Sequence, residues 1–178
     1  MKNAPLPNRP VRKARWKPPN QEMLKISFDG AIFAGDKCSG LGVIIRDRKG
    51  LVIASMATRV PQQLQPVEIE ALVANKALEF AREMDIANVV LEGDSLMVMT
   101  TLKSKNIGLA SFGLLLQDSL ALSSGFSKLS YFHTKKEGNI VAYNLAQLAI
   151  NFTNCVIWME NGASDVLTSY HADLVDVS

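Results

Sequence analysis

The chain has 178 residues, enough for one domain with tails. It is 48% hydrophobic and 20% charged, as a globular protein is, and no apolar run approaches the ~20 residues of a membrane span. Two cysteines without a CxxC and two histidines exclude a disulfide framework and a zinc cluster, so any metal here would be a hard ion held by oxygen. The sparse cysteines also suit a reducing compartment, so an intracellular location in nucleus or cytoplasm is expected, an organelle remaining open.

Charge divides the chain into three. Residues 1–22 form a proline-rich arm in which Lys2, Arg9, Arg12, Lys13, Arg15 and Lys17 are basic and the first acid is Glu22. Its composition reads as a solvated tail without packed structure, or as a segment that follows a phosphate backbone. Arg12, Lys13 and Arg15 are the candidate contacts. It has no apolar signal region. Residues 159–178 form an acidic tail, with Glu160, Asp165, Asp173 and Asp176 and no Lys or Arg. Residues 23–158 form the domain between them, near neutral in charge.

The domain begins with "LKISFDGAIF", where Leu24, Ile26 and Phe28 alternate with Lys25, Ser27 and Asp29, the period of a strand. "GLGVIIRDRKG" and "LVIASMATRV" read as two more strands joined by a turn at Gly50. Pro66 opens a helix whose apolar positions recur to Met84. "ANVVLEGDS" is a fourth strand. "SLMVMTTLKS" and "SFGLLLQDSLALSS" read as helices, "FSKLSYFHTKK" as a fifth strand and "GNIVAYNLAQLAINF" as a last helix that Asn139 could cap. The order β-β-β-α-β-α-α-β-α predicts an α/β fold: a five-stranded mixed sheet, partly antiparallel and partly parallel, with helices on both faces.

Asp29 and Asp94 each end a strand. Asp94, in "LEGDS", reads either as part of a helix cap or as one member of a carboxylate cluster. If strands one and four are neighbours, the two aspartates lie side by side at the carboxyl edge of the sheet, where α/β sites form. In the first helix, Val67, Ala71, Ala74, Ala77, Leu78 and Ala81 make one apolar sector at about 100° per residue. Glu70 falls inside that sector; Glu68, Asn75, Glu79 and Arg82 fall opposite. A carboxylate aimed at the sheet needs a partner, and a cation shared with Asp29 and Asp94 would serve, unless Glu70 stays in the exposed first turn and favours the helix dipole. Such an acid set suits two divalent ions about 3.5–4 Å apart in phosphodiester cleavage. Met97 and Met99 read as core, and Asp118 as a surface charge.

The ordered pieces "RWKPPNQEMLKISFDGA", "GLGVIIRDRKGLVIA", "IEALVANKALEFA", "VVLEGDSLMV", "LSYFHTKKEGNIVAYNLAQLA" and "CVIWMEN" span Trp16 to about Asn161. Together they resemble ribonuclease H type 1, and most of all its plant, retrotransposon-derived branch. The resemblance implies a ribonuclease H-like fold and Mg²⁺- or Mn²⁺-dependent hydrolysis of the RNA strand of RNA–DNA hybrids, leaving 5′-phosphate and 3′-hydroxyl ends. It implies metal ligation by Asp29, Glu70 and Asp94, and a catalytic role for His133, whose other reading is a partly buried loop histidine. Lys135 and Lys136 could touch phosphate. The family's fourth acid on the last helix is replaced by Tyr143, and a phenol is a poor Mg²⁺ ligand at neutral pH. Neighbouring Asn144 is turned about 100° away and does not substitute. Three functions follow: a hybrid endoribonuclease of weakened activity, an inactive domain that binds nucleic acid or a protein, or a piece of a retroelement polyprotein. A monomer without membrane attachment is expected.

Overall fold

A computed structural model describes residues 15–20, 22–108 and 111–160. Ten elements follow in order: β1 (Leu24–Phe33), β2 (Cys38–Arg46), β3 (Val52–Val60), α1 (Pro66–Glu83), β4 (Asn88–Gly93), α2 (Leu96–Ser104), α3 (Gly113–Ser123), β5 (Lys128–His133), α4 (Ile140–Leu148) and β6 (Val156–Met159). The sheet order is β5-β4-β1-β2-β3-β6. β1 pairs in parallel with β4, and β4 in parallel with β5; the remaining pairs are antiparallel.

The turn from β2 to β3 forms as its residues require. Gly50 has φ of 80°, and the Asp47 carboxylate accepts from the amides of Lys49 and Leu51. Alternation then sorts the central strands between two cores. Leu41, Val43 and Ile45 of β2 face α1, α2 and α3, while Ile44 faces α4. The mixed sheet with helices on both faces is therefore as expected. Among the described residues no helix is long and apolar enough to cross a membrane.

The sheet has six strands and not five. The stretch Val156–Met159 pairs antiparallel with β3, matching Ala57 to Val156 and Ala54 to Met159. Val156 and Trp158 turn inward, and Ile157 and Met159 outward. Trp158 packs against the α4 core, its ring 5.8 Å from that of Phe152. Two further expectations are corrected. Met97 is 58% exposed, whereas Met99 is buried, because α2 turns the first of them to solvent. Asn75, placed by periodicity on the outer face of α1, is buried because α3 packs over that face.

Trp16 belongs to the arm by composition but is only 4% exposed. Its ring lies 4.2 Å from the Arg46 guanidinium and 5.6 Å from the Lys25 ammonium. Lys25 in turn makes a buried 2.8 Å ion pair with Glu92 of β4. The packed domain thus reaches back at least to Trp16.

Helix α4 sits directly on β2. A Cβ on Gly42 would overlap the backbone of Ala142 and Ala146. Gly42→Ala should therefore lower the unfolding free energy by about 1–3 kcal/mol or more, since neither backbone can yield; denaturant titration of the two proteins measures it.

Candidate metal centre

The β1–β4 register ends at Ser27 opposite Glu92. Asp29 and Asp94 each lie two residues further on, so the strands are neighbours as expected, but only Asp94 ends its strand: β1 continues past Asp29 to Phe33 in its pairing with β2. The third acid arrives from α1. That helix starts at Pro66 with a capping box, in which the Glu68 carboxylate accepts from the Gln65 amide at 3.0 Å. Glu68 is thus occupied with the cap, and one half-turn later Glu70 points at β1. Gly30 admits it: a Cβ there would overlap the Ile69 side chain. The Gly30 amide donates to Asp29 Oδ1 at 2.8 Å and to Glu70 Oε1 at 3.2 Å. One carboxylate oxygen from each of Asp29, Glu70 and Asp94 lies within 4.8 Å of the others.

Three acids this close cannot all be charged without compensation. Burial, then the neighbouring Asp94 charge, pushes the Asp29 carboxyl up to about 7. Burial, then the charges of Asp29 and Asp94, pushes Glu70 up to about 9. Burial also raises Asp94, opposed by Lys136 and His133. Glu70 Oε2 is buried without a hydrogen-bond partner among the described residues. Desolvated oxygens, converging carboxylates and one orphaned lone pair together fit a hard divalent cation, which would take the place of the missing protons and donors. Asp29, Glu70 and Asp94 are the residues that would hold it.

Asp94 does not cap α2. Ser95 occupies the cap position, its hydroxyl accepting from the Val98 amide at 3.4 Å, which leaves the Asp94 carboxylate to the cluster. His133 is exposed, with Nε2 3.1 Å from the backbone carbonyl of Asp94. Lys136 faces both Asp29 and Asp94 closely enough to oppose their protonation. Lys135 and Arg15 lie instead in the wall of a neighbouring cavity. Arg12 and Lys13 lie outside the described residues.

Asn139 occupies the N-cap position of α4, as expected, but its side chain caps no helix amide. Its Nδ2 donates to the Phe28 carbonyl at 2.8 Å and to Asp29 Oδ2 at 3.3 Å, buried on both counts. It ties the start of α4 to the middle of β1 and steadies Asp29. A polar residue before a helix carries the same sequence signal for either duty, so this role was not visible there. Tyr143 is 43% exposed and, with Ile140 and Gln147, lines the cavity of about 600 Å³ onto which Asp29, Glu70 and Asp94 open. Asn144, one position on, is not part of that wall.

A six-stranded mixed sheet in this order, with a carboxylate trio where the β1–β4 pairing ends, defines a ribonuclease H-like domain. The Reverse transcriptase-like family model matches residues 27–149, and the chain belongs to that family. Solved ribonucleases H share the fold. The RNase H1 of the halophilic archaeon Halobacterium salinarum superposes with a TM-score of 0.66 at 22% identity, covering 72% of this chain and 98% of that one. The N-terminal RNase H domain of Rv2228c from Mycobacterium tuberculosis gives 0.65 at 19% identity, over 72% of this chain and 94% of that one. LC11-RNase H1 in complex with an RNA/DNA hybrid gives 0.64 at 18% identity, over 72% and 96%. No curated protein matches the sequence significantly.

The raised carboxyls set a pH dependence. In the folded state Asp29 and Glu70 hold protons that the unfolded chain releases near its ordinary values of 3.8 and 4.5. The stability this confers is complete below those values and is lost as pH rises through about 7 and about 9. The melting temperature of metal-free protein should accordingly fall between about pH 5 and pH 9. Glu70→Gln should flatten that fall, and Mg²⁺ or Mn²⁺ should raise the melting temperature of the unaltered protein more than that of the variant. Calorimetry across pH, with and without metal, measures both.

Proposed function

We propose that this domain hydrolyses the RNA strand of RNA–DNA hybrids, with divalent metal held by Asp29, Glu70 and Asp94. The observation that carries the reading is the convergence of those three carboxylates, one oxygen from each within 4.8 Å of the others, in a ribonuclease H-like fold. Bound Mg²⁺ or Mn²⁺ would supply activated water and neutralise charge on the scissile phosphate. The protein's own groups do the rest. Asn139 and the Gly30 amide hold Asp29 in place. Lys136, beside the cluster, meets phosphate oxygens. His133, exposed and 3.1 Å from the Asp94 carbonyl, would exchange a proton with the reacting phosphate or with water. Recognition of the RNA strand would rest on 2′-hydroxyl contacts in the minor groove.

Tyr143 favours a second reading, a domain that binds nucleic acid without cutting it. It occupies the α4 wall of the cavity, opposite the three acids, and brings no carboxylate there. A second ion would lack a charged ligand on that side, so the cleavage proposed is slow and more visible in Mn²⁺ than in Mg²⁺, in line with the greater affinity of Mn²⁺ for such ligands.

A labelled RNA–DNA hybrid separates the two. Cleavage should require Mg²⁺ or Mn²⁺ and fall on the order of a hundredfold or more in Asp94→Asn. Tyr143→Asp should raise the rate at saturating metal while lowering metal-free thermal stability, because it adds a fourth negative charge. No cleavage by either the unaltered protein or a folded Tyr143→Asp variant would establish the binding domain in place of the enzyme.

A further inference from the structure

A second cavity, of about 630 Å³, lies beside the metal centre and shares only His133 with the groups given a catalytic role. It opens between residues 15–20 and the β1, β4 and β5 edge of the sheet, on the part of that face α4 does not cover. Its floor includes Val90 and Phe132, and its rim carries Lys17 and Lys135. The two cavities adjoin. His133 and Thr134 line this one, while His133 Nε2 lies 3.1 Å from the Asp94 carbonyl and the Thr134 amide donates to Gly93 at 3.0 Å. A strand whose phosphate lies on the cluster has to run past this opening if it continues along β4 and β5.

The cavity is built. Trp16, buried against Arg46 and Lys25, pins the segment that forms the outer wall, and Pro18 and Pro19 stiffen it. Phe132 is a large aromatic left 53% exposed, with the Lys103 ammonium 5.9 Å from its ring centre. Glu92 is only 7% exposed. One of its carboxylate oxygens takes Lys25 at 2.8 Å, and the other has no partner among the described residues. An aromatic platform beside a basic rim is the means by which proteins hold unpaired nucleotides, one base stacked and its phosphates in the field of lysines. The unpartnered Glu92 oxygen is buried in the cavity wall, and a small turn of the carboxylate would offer it to a base's amino group. An acidic peptide would set its carboxylates against Glu92 and leave that acceptor unsatisfied.

We infer that this cavity binds an unpaired nucleotide of the substrate, stacked on Phe132 with its phosphates at Lys17 and Lys135, so that the domain prefers hybrids bearing a single-stranded extension over blunt ones. The inference rests on the hybrid-directed reading above and adds a substrate preference to it.

The test compares a short blunt RNA–DNA hybrid with the same hybrid carrying a single-stranded extension at either RNA end, the extension containing 2-aminopurine. Binding is measured in Mg²⁺ with the Asp94→Asn protein, which suppresses cleavage. One extension should tighten binding by about five- to a hundredfold, the range one stacked base contributes, and should quench the 2-aminopurine. In Phe132→Leu the advantage and the quenching should both vanish, and in Lys17→Glu the advantage should shrink while circular dichroism stays that of a folded protein. Equal affinities for blunt and extended hybrids, or an advantage that survives Phe132→Leu, would overturn the inference. If no hybrid binds at all, the hybrid-directed reading is what has failed. The fluorescence of a single-stranded 2-aminopurine oligonucleotide then decides the cavity separately: quenching that Phe132→Leu abolishes upholds stacking, and its absence removes it.

Discussion

The parallel pairing of β1 with β4 is the constraint on which the rest depends. These strands are separated in sequence by two strands and a helix, yet their register places Ser27 against Glu92. That match sends Asp29 and Asp94 off the same edge at the same height. It also brings Lys25 of β1 within 2.8 Å of Glu92 of β4, so a buried ion pair lies behind the aspartates, two residues before Asp94 and four before Asp29. Slipping the register by one residue would turn one aspartate to the opposite face and leave a buried lysine or glutamate without its counter-charge. Local charge pairing and long-range geometry select the same alignment.

The cluster stands against that stabilising frame as a site of stored electrostatic conflict. α1 packs close against Gly30, where a Cβ would overlap Ile69 and crowd Glu70 Oε1, and the Gly30 amide is shared between two carboxylates. One amide cannot neutralise two anions, and protons remain on the acids well above their usual range. Evolving such a site for stability alone would replace an acid by an amide. The present arrangement is intelligible if a cation completes it, since the ion removes the repulsion and satisfies the orphaned Glu70 oxygen at one stroke.

The elements that hold this site were readable from the sequence where a period or an edge position was decisive. An aspartate just past β4 and a glutamate inside an apolar helix sector are strong signals, because each breaks a pattern that burial otherwise enforces; Asp29 read as a strand end, but pairing with β2 carries β1 past it to Phe33. Where a second layer covers a face, the same reasoning failed. Asn75 obeyed the outer-face period of α1 but is covered by α3, a contact between elements some forty residues apart. The four residues of β6 were too few to show a period, and they became a strand only because β3 offered a free edge. Trp16 carried no periodic context at all. Its burial depends on two cations from β1 and β2 that the chain supplies later.

Tyr143 ties these levels together. Its position is held by two contacts: α4 is pressed onto β2 at Gly42 and bound to the middle of β1 through Asn139. The helix can neither slide to present Asn144 nor retreat to admit another ligand, so the chemistry of the α4 wall is whatever residue 143 provides. A phenol there supplies shape and an apolar ring at the mouth of a cavity whose opposite wall carries all the acids. If the domain acts on hybrids as proposed, the balance between cutting a strand and merely holding it rests on the phenol at position 143, since α4 itself is fixed.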